Sequence, residues 1–106
     1  MFKYWTSMKN QDELFRVLRE VKKNPKISQR QLAINVNFSL GKLNYCLSAL
    51  RVKGLIKMKN FQKNKKKIGY VYILTPKGLA KKTSMAINFL KRKAKEYEEI
   101  KKEINR

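Results

Sequence analysis

The sequence predicts a small α+β domain that is mainly α-helical, with one short β-hairpin before a long last helix. Apolar residues recur at helical spacing in the first half of the chain, and two later stretches have strand-like patterns. Thr75 and Pro76 then open a segment in which Gly78 is the one helix breaker. With 106 residues, of which 42% are hydrophobic, the chain can bury one modest core.

The first helix is predicted from about Asn10 to Lys23. Asn10 and Glu13 have the spacing of a capping box, in which two side chains satisfy the first backbone N–H groups. The apolar positions at helical spacing are Leu14, Val17, Leu18 and Val21. Pro25 ends the helix, because the residue before a proline is pushed out of the helical region.

Two further helices follow, joined by the four-residue turn 36–39. The second is predicted from about Gln29 to Asn35 with Ser28 as its N-cap, and the third from about Leu40 to Lys53 with Ser39 as its N-cap. The inward face of the third helix consists of Leu43, Leu47 and Leu50, flanked by Leu40 and Cys46. Its outward face is mostly polar, and this order is typical of a helix-turn-helix that reads DNA.

Two strands are predicted next, from Leu55 to Phe61 and from Gly69 to Leu74. Apolar residues alternate with lysines in the first, and aromatic and β-branched residues crowd the second. The expected hairpin tip, residues 62–67, carries Lys63, Lys65, Lys66 and Lys67. A lysine-rich tip can be a solvated edge that deters aggregation, but after a helix-turn-helix we interpret the hairpin as the wing of a winged helix.

The last helix is predicted from Pro76, with Thr75 as its N-cap, to the end of the chain. At ~40 Å such a helix outruns the body of so small a domain. An apolar stripe keeps coiled-coil spacing, except that Lys93 occupies one position of the seam. The stripe consists of Ala86, Leu90, Tyr97, Ile100 and Ile104. Its first half can pack on the domain itself, and we expect its second half to mediate dimerisation.

The charge distribution predicts a polyanionic partner. The chain has 27 Lys and Arg against seven Asp and Glu, a net charge of +20. None of the acids lies between residues 21 and 95. A cationic field of this extent favours nucleic acid. Codon bias in an AT-rich genome also raises the number of lysines. Such bias does not explain why acidic residues are missing from the middle of the chain but present at both ends.

Several other functions are disfavoured by composition. The chain has no histidine, its four glycines are scattered, and its acids have the pattern of solvated helix faces, so we predict no enzyme, metal site or cofactor. No apolar run approaches the ~20 residues that span a bilayer, and no secretory signal is recognisable. The single cysteine, Cys46, fits a reducing cytoplasm and is most simply a packing residue. A redox switch stays open as an alternative, although no basic residue is evident beside it.

The chain resembles winged-helix regulators of the MarR type, specifically the small branch associated with exopolysaccharide gene clusters. The resemblance covers nearly everything after residue 20: NPKISQRQLA (24–33), SLGKLNYCLSALRVKGLIK (39–57), NF (60–61), GYVYILTPKGLAKKT (69–83) and NFLKRKAKEYEEIKKEI (88–104). It implies a bacterial, DNA-binding and dimeric transcriptional regulator. MarR-type proteins generally dimerise through helices at both ends, and the short amino-terminal region here shifts that expectation to the last helix. The resemblance assigns no small-molecule effector.

In this arrangement the third helix enters the major groove. Asn44 can pair with adenine, Lys42 with guanine or a phosphate, and Tyr45 with a phosphate or a thymine methyl group. The residues predicted to contact bases are Ser39, Gly41, Lys42, Asn44, Tyr45 and Ser48. A second set is predicted to contact the DNA backbone from the start of the second helix and from the hairpin tip: Ser28, Gln29, Arg30, Lys63, Lys65, Lys66 and Lys67. On an isolated helix such residues would more simply be solvated.

Three functions therefore stay open. The favoured one is a homodimeric, sequence-specific regulator that binds double-stranded DNA, cytoplasmic and nucleoid-associated. Residues 1–75 would form its winged helix-turn-helix and residues 76–106 its dimerisation helix. The alternatives are an RNA- or nucleoid-binding module without base specificity and a protein-interaction adaptor in which the charge is incidental.

Overall fold

A computed structural model describes residues 8–64 and 67–105 of the chain. In chain order, its elements are α1 (Met8–Lys23), α2 (Gln29–Val36), α3 (Leu40–Val52), β1 (Ile56–Asn64), β2 (Lys67–Leu74) and α4 (Pro76–Ile104). The predicted fold class is confirmed, because a mainly helical domain carries one antiparallel hairpin and ends in a long helix.

Three of the predicted helix starts are confirmed by their capping hydrogen bonds. The Ser28 hydroxyl accepts from the N–H of Gln31 at 3.1 Å, and the Ser39 hydroxyl accepts from the N–H of Lys42 at the same distance. The Thr75 hydroxyl accepts from the N–H of Gly78 at 2.9 Å. Each bond satisfies a donor that the first helical turn leaves without a partner, and thereby sets where the helix begins.

The predicted start of α1 is wrong. The helix begins at Met8, so Asn10 lies within it rather than at its N-cap. The capping box also required Glu13 to reach back to the backbone. Glu13 is buried, and its carboxylate pairs with the ammonium group of Lys42 on α3. The side chain thus links α1 to α3, a role that the capping-box pattern did not predict.

The core forms around α1. Its predicted apolar positions, Leu14, Val17, Leu18 and Val21, are all fully buried. The inward face of α3 is confirmed as well, since Leu43, Leu47 and Leu50 join the same cluster. Of the two flanking residues, Cys46 is fully buried and Leu40 is 46% exposed. At about 0.8 kcal/mol for each buried CH₂ group, this cluster is the main stabilising feature of the fold.

The hairpin is longer than predicted. Backbone pairing extends from Ile56 opposite Leu74 to Asn64 opposite Lys67, with an irregularity between Gln62 and Asn64. The expected six-residue tip is therefore wrong: Lys63 belongs to β1 and Lys67 to β2, while Lys65 and Lys66 lie outside the described residues. The extra pairs formed because an antiparallel ladder depends on backbone N–H and C=O groups, which alternation of apolar side chains does not report.

The last helix packs on the domain through its first half. Gly78 and Met85 are buried, and the Phe89 ring lies 5.8 Å from the ring of Phe15 on α1. Arg92 forms an ion pair with Asp12 of α1. All residues from 93 to 105 are exposed, so the second half projects from a molecule whose extents are 64 × 25 × 23 Å.

The apolar stripe predicted for dimerisation lies mostly outside the face of α4 that packs on the domain. Leu90, Tyr97, Ile100 and Ile104 are between 52% and 76% exposed, and Ala86 is partly buried against the core. Leu90 is thus exposed although it lies in the first half of the stripe, and its part in dimerisation stays a prediction. Within residues 8–64 and 67–105, no helix combines the length and apolar character that crossing a bilayer requires.

Candidate nucleic-acid interface

The helix-turn-helix is joined by a short turn with a fixed backbone. Asn37 adopts a left-handed conformation with φ of 61°, which asparagine tolerates better than most residues. The N–H of Phe38 donates to the carbonyl of Ala33 at 2.9 Å, closing the end of α2. The guanidinium of Arg16 on α1 donates to the carbonyl of Val36 at 3.1 Å. These bonds fix how α3 leaves α2.

The outward face of α3 is open to solvent. Gly41, Asn44, Tyr45 and Ser48 are all exposed, with Tyr45 at 55%. Ser39 is exposed too, although its hydroxyl already accepts the capping hydrogen bond of α3. An added methyl group at Gly41 would meet no atom within 4 Å, so this part of the helix surface is flat and accessible. The structure therefore places these predicted base-contacting residues on one solvent-facing surface.

Lys42 differs from the other residues in that set. Its ammonium group pairs with the buried carboxylate of Glu13 and lies 4.6 Å from the centre of the Phe38 ring. This partly exposed cation gains from both the carboxylate and the negative face of the ring. Lys42 thus ties α3 to α1, and a base contact by this side chain would require it to leave Glu13.

The predicted backbone-contacting residues at the start of α2 are only partly accessible. Ser28 and Arg30 are exposed, whereas Gln29 is half-buried beside Tyr72 of β2. Burial raises the pKa of the Tyr72 phenol above its ordinary value, while the Gln29 side chain lowers that pKa and Tyr70 raises it slightly. The Tyr72 hydroxyl is buried and makes no hydrogen bond of normal geometry among the described residues. Gln29 therefore also contacts the hairpin from the helix-turn-helix.

The hairpin contributes cations that the sequence analysis did not assign to DNA. Lys57 and Lys59 are exposed on β1 and, with Arg51 at the end of α3, surround one shallow concavity. The Arg51 guanidinium lies 3.9 Å from the sulfur of Met58. The alternation of these lysines with Ile56 and Met58 was a usable signal, because it puts them together on the outer face of the strand. The side chains of Lys63 and Lys67 lie outside the described part.

The acids are kept apart from this surface. Among the described residues, α2, α3 and both strands carry no Asp or Glu. The three acids of α1 have partners within the domain, since Asp12 and Glu13 form the ion pairs described above and Glu20 accepts from Asn35 at 3.3 Å. The other four acids lie in the projecting half of α4. The helix-turn-helix and hairpin consequently present charge of one sign, which suits a phosphate backbone.

Comparison with known proteins gives a family match and a shared fold. A family model described as winged helix-turn-helix DNA-binding matches residues 14–57, from α1 into β1. A MarR family transcription regulator of known structure superposes with a TM-score of 0.67 at 20% identity, covering 81% of this chain and 56% of the other. None of the curated proteins matches the chain in sequence.

Two further solved structures share this fold. For the PcaV transcriptional regulator from Streptomyces coelicolor, the TM-score is 0.65 at 18% identity, covering 74% of this chain and 57% of that one. For NadR in complex with 4-hydroxyphenylacetate, it is 0.64 at 17% identity, covering 94% and 72%. The chain spans little more than half the length of the first two. Residues 14–57 thus match the winged helix-turn-helix DNA-binding family, and the chain has the fold of the MarR family transcription regulators.

Proposed function

We propose that this protein is a homodimeric transcriptional regulator that recognises a specific double-stranded DNA sequence with α3. The observation that carries the proposal is the exposed outward face of α3, set within an acid-free helix-turn-helix and hairpin. Asn44 is the principal base-reading residue, because its amide can donate to and accept from one adenine edge. Gly41, Tyr45 and Ser48 lie beside it on the same surface.

Phosphate contacts hold the domain in register on the duplex. The exposed Ser28 and Arg30 stand at the start of α2, where backbone N–H groups favour an anion. Arg51, Lys57 and Lys59 add a second group of cations beside the hairpin. Further contacts with the DNA backbone or the adjacent minor groove are assigned to Lys63, Lys65, Lys66 and Lys67.

The exposed stripe of α4 supplies the dimer contact, so that two recognition helices read two half-sites. A bacterial cytoplasmic location, on the nucleoid, follows from this activity. Control of exopolysaccharide genes rests on the resemblance of residues 24–104 to that branch. A genome-wide binding map tests it, because the bound sites must then lie upstream of such genes.

The central test compares Asn44→Ala with Arg30→Ala. The full-length protein first selects tight-binding duplexes from a random-sequence pool, and affinities are then measured for a selected duplex and for random DNA of equal length. Loss of Asn44 should weaken the selected duplex by ~1–3 kcal/mol, roughly 5- to 150-fold, and leave random DNA nearly unchanged. Loss of Arg30 should weaken both about equally.

Asn88→Ala serves as the control, because it is the same change at an exposed position on α4. Equal losses on both duplexes for Asn44→Ala would remove the base-reading role. Failure to select any sequence would favour the nucleic-acid module without base specificity. Failure to bind any nucleic acid at low salt would favour the protein-interaction adaptor.

A further inference from the structure

The apolar stripe of α4 is exposed beside the domain as well as beyond it. The helix packs on its own domain mainly through Gly78, Met85 and Phe89, and the stripe residue Ala86 lies at the edge of this contact, partly buried against the core. Leu79 and Ile87 are 41% and 49% exposed, and Leu90 is 64% exposed. The stripe then continues through Tyr97, Ile100 and Ile104, which are at least 52% exposed. An exposed apolar face, interrupted at Lys93, therefore runs along much of the helix.

The two halves of α4 carry opposite charge. Residues 77–95 contain seven Lys and Arg and no acid, whereas residues 96–104 contain four Glu and two Lys. Two copies of this helix that run parallel would place like halves side by side. Two copies that run antiparallel would place each acidic half on a basic half.

Building on the proposed dimer, we infer that two copies pair through α4 in antiparallel orientation, the acidic half of each helix lying on the basic half of the other. The heptad spacing fixes one register in which each stripe residue faces another. In it Ile100 lies opposite the partner's Leu90, Ile104 opposite the partner's Ala86, and Tyr97 opposite the partner's Lys93. The register is symmetric about Lys95.

Lys93 decides between the two orientations. In a parallel pair it would meet its own copy inside the apolar seam, where two cations are costly to bury. In the antiparallel register it meets the face of a tyrosine ring, which attracts a cation by ~0.5–1 kcal/mol at an exposed site. Its ammonium group also lies 3.4 Å from the Glu96 carboxylate of its own helix. That ion pair is present in either orientation, so the distinction rests on what faces Lys93 across the seam: the partner's Tyr97 in the antiparallel pair and a second Lys93 in the parallel one.

The antiparallel register also suits DNA geometry. A two-fold axis across the helix pair puts the domain-packing face of both helices on the same side, so both domains face one side of the pair. Each helix packs on its domain around Met85, ten residues from the centre at Lys95. At 1.5 Å per residue the two domains are then about 30 Å apart, close to one turn of DNA.

Disulfide cross-linking tests the orientation. Leu90→Cys and Ile100→Cys are made separately, one with an affinity tag that changes its size, mixed in equal amounts, oxidised and separated without reductant. Both positions are exposed, so folding of either variant is preserved. A disulfide needs Cα atoms within about 7 Å, whereas in a parallel pair these residues are about 15 Å apart along the axis. We expect the mixed-size dimer as the main product and little cross-linking of either variant by itself.

Two controls accompany this experiment. The unmodified chain reports any background from Cys46, which is fully buried. Lys102→Cys places a thiol on the exposed helix away from the stripe and should not cross-link. Efficient cross-linking of Ile100→Cys to itself would overturn the inference in favour of a parallel pair. A stable dimer in which neither combination cross-links would overturn the register.

The reduced samples separate this inference from the proposed function. If sedimentation shows a dimer that selects a DNA sequence but gives a parallel cross-link, the regulator stands and the antiparallel pairing falls. If the full-length chain sediments as a monomer at every concentration, the dimer falls, and the pairing with it. DNA selection by the same chain is judged independently of both results.

Discussion

Two glycine-to-alanine substitutions should have opposite effects on stability. Gly78 lies where α4 meets the end of the α3–β1 turn, and a Cβ atom there would fall 1.9 Å from the carbonyl oxygen of Leu55. Gly41 lies on the outward face of α3, and a Cβ atom there would meet no atom within 4 Å. Alanine is intrinsically better than glycine in a helix by about 1 kcal/mol, so any difference between the sites reports packing.

The expected cost at Gly78 follows from the contacts around it. To reach an ordinary 3.4 Å contact, the helix start must move about 1.5 Å from the Leu55 carbonyl. That displacement strains the N–H of Thr75, which donates to Leu55 at 3.0 Å, and the Thr75 hydroxyl, which donates to Gly54 at 2.6 Å. Two hydrogen bonds at about 1 kcal/mol each, and overpacking of about 1–3 kcal/mol, exceed the helical gain. Gly78→Ala should therefore lose about 2–4 kcal/mol.

Thermal and urea unfolding, both followed by circular dichroism, measure the two variants against the parent. Gly78→Ala should melt at least about 10 °C lower, whereas Gly41→Ala should be up to about 1 kcal/mol more stable. Because Gly41 is in the proposed DNA surface, its alanine variant should combine higher stability with weaker binding to selected DNA. A Gly78→Ala protein as stable as the parent would show that α4 does not approach Leu55 this closely.

Three further predictions concern charge, a buried tyrosine and the last helix. Affinity for DNA should fall roughly 10³- to 10⁵-fold between 50 and 200 mM salt if 6–10 phosphates are contacted, and a flat titration would contradict the charge argument. Because the pKa of Tyr72 is raised, the folded state holds that proton more tightly, so stability present below pH 10 is lost as pH rises further. Tyr72→Phe should lose less stability than the parent in urea titrations above pH 10 and be nearly neutral at pH 7, and identical alkaline profiles would rule this out. Deletion after Lys95 should leave a folded, largely monomeric protein with much weaker operator binding, as sedimentation and binding assays can establish. A truncated chain that still sediments as a dimer would place the dimer contact elsewhere.

The parts of the fold that the sequence predicted well are those that depend on nearby residues. Ser28, Ser39 and Thr75 act as N-caps because a hydroxyl on an extended residue at a helix start reaches the N–H three residues on, whatever the rest of the fold. The inward leucines of α3 follow from helical spacing in the same way. The outward face of α3 was predicted as the residues that do not lie on the leucine face, and the structure confirms that they are exposed. Their contacts with bases stay a prediction.

The parts that could not be predicted depend on contacts between distant residues. Glu13 and Lys42 are 29 positions apart, and Asp12 and Arg92 are 80 apart. Neither pair leaves a periodic signal, so Glu13 was assigned to a cap and Lys42 to a base. Gly78 looked like a weakness in a helix, although its lack of a side chain is what permits α4 to meet Leu55.

The hydrogen bonds of Thr75 attach α4 rigidly to the helix-turn-helix. The side chain and backbone of this residue connect the helix to Gly54 and Leu55, immediately after α3. A helix of 29 residues is about 44 Å long, so a 5° tilt at its base moves its tip by about 4 Å. The coupling also acts in the other direction. A small change in the angle between the two α4 helices of a dimer would rotate each recognition helix α3 by a comparable angle. One inserted base pair turns a half-site by about 35°. A regulator whose α4 is attached so rigidly should therefore tolerate little variation in the spacing of its DNA half-sites.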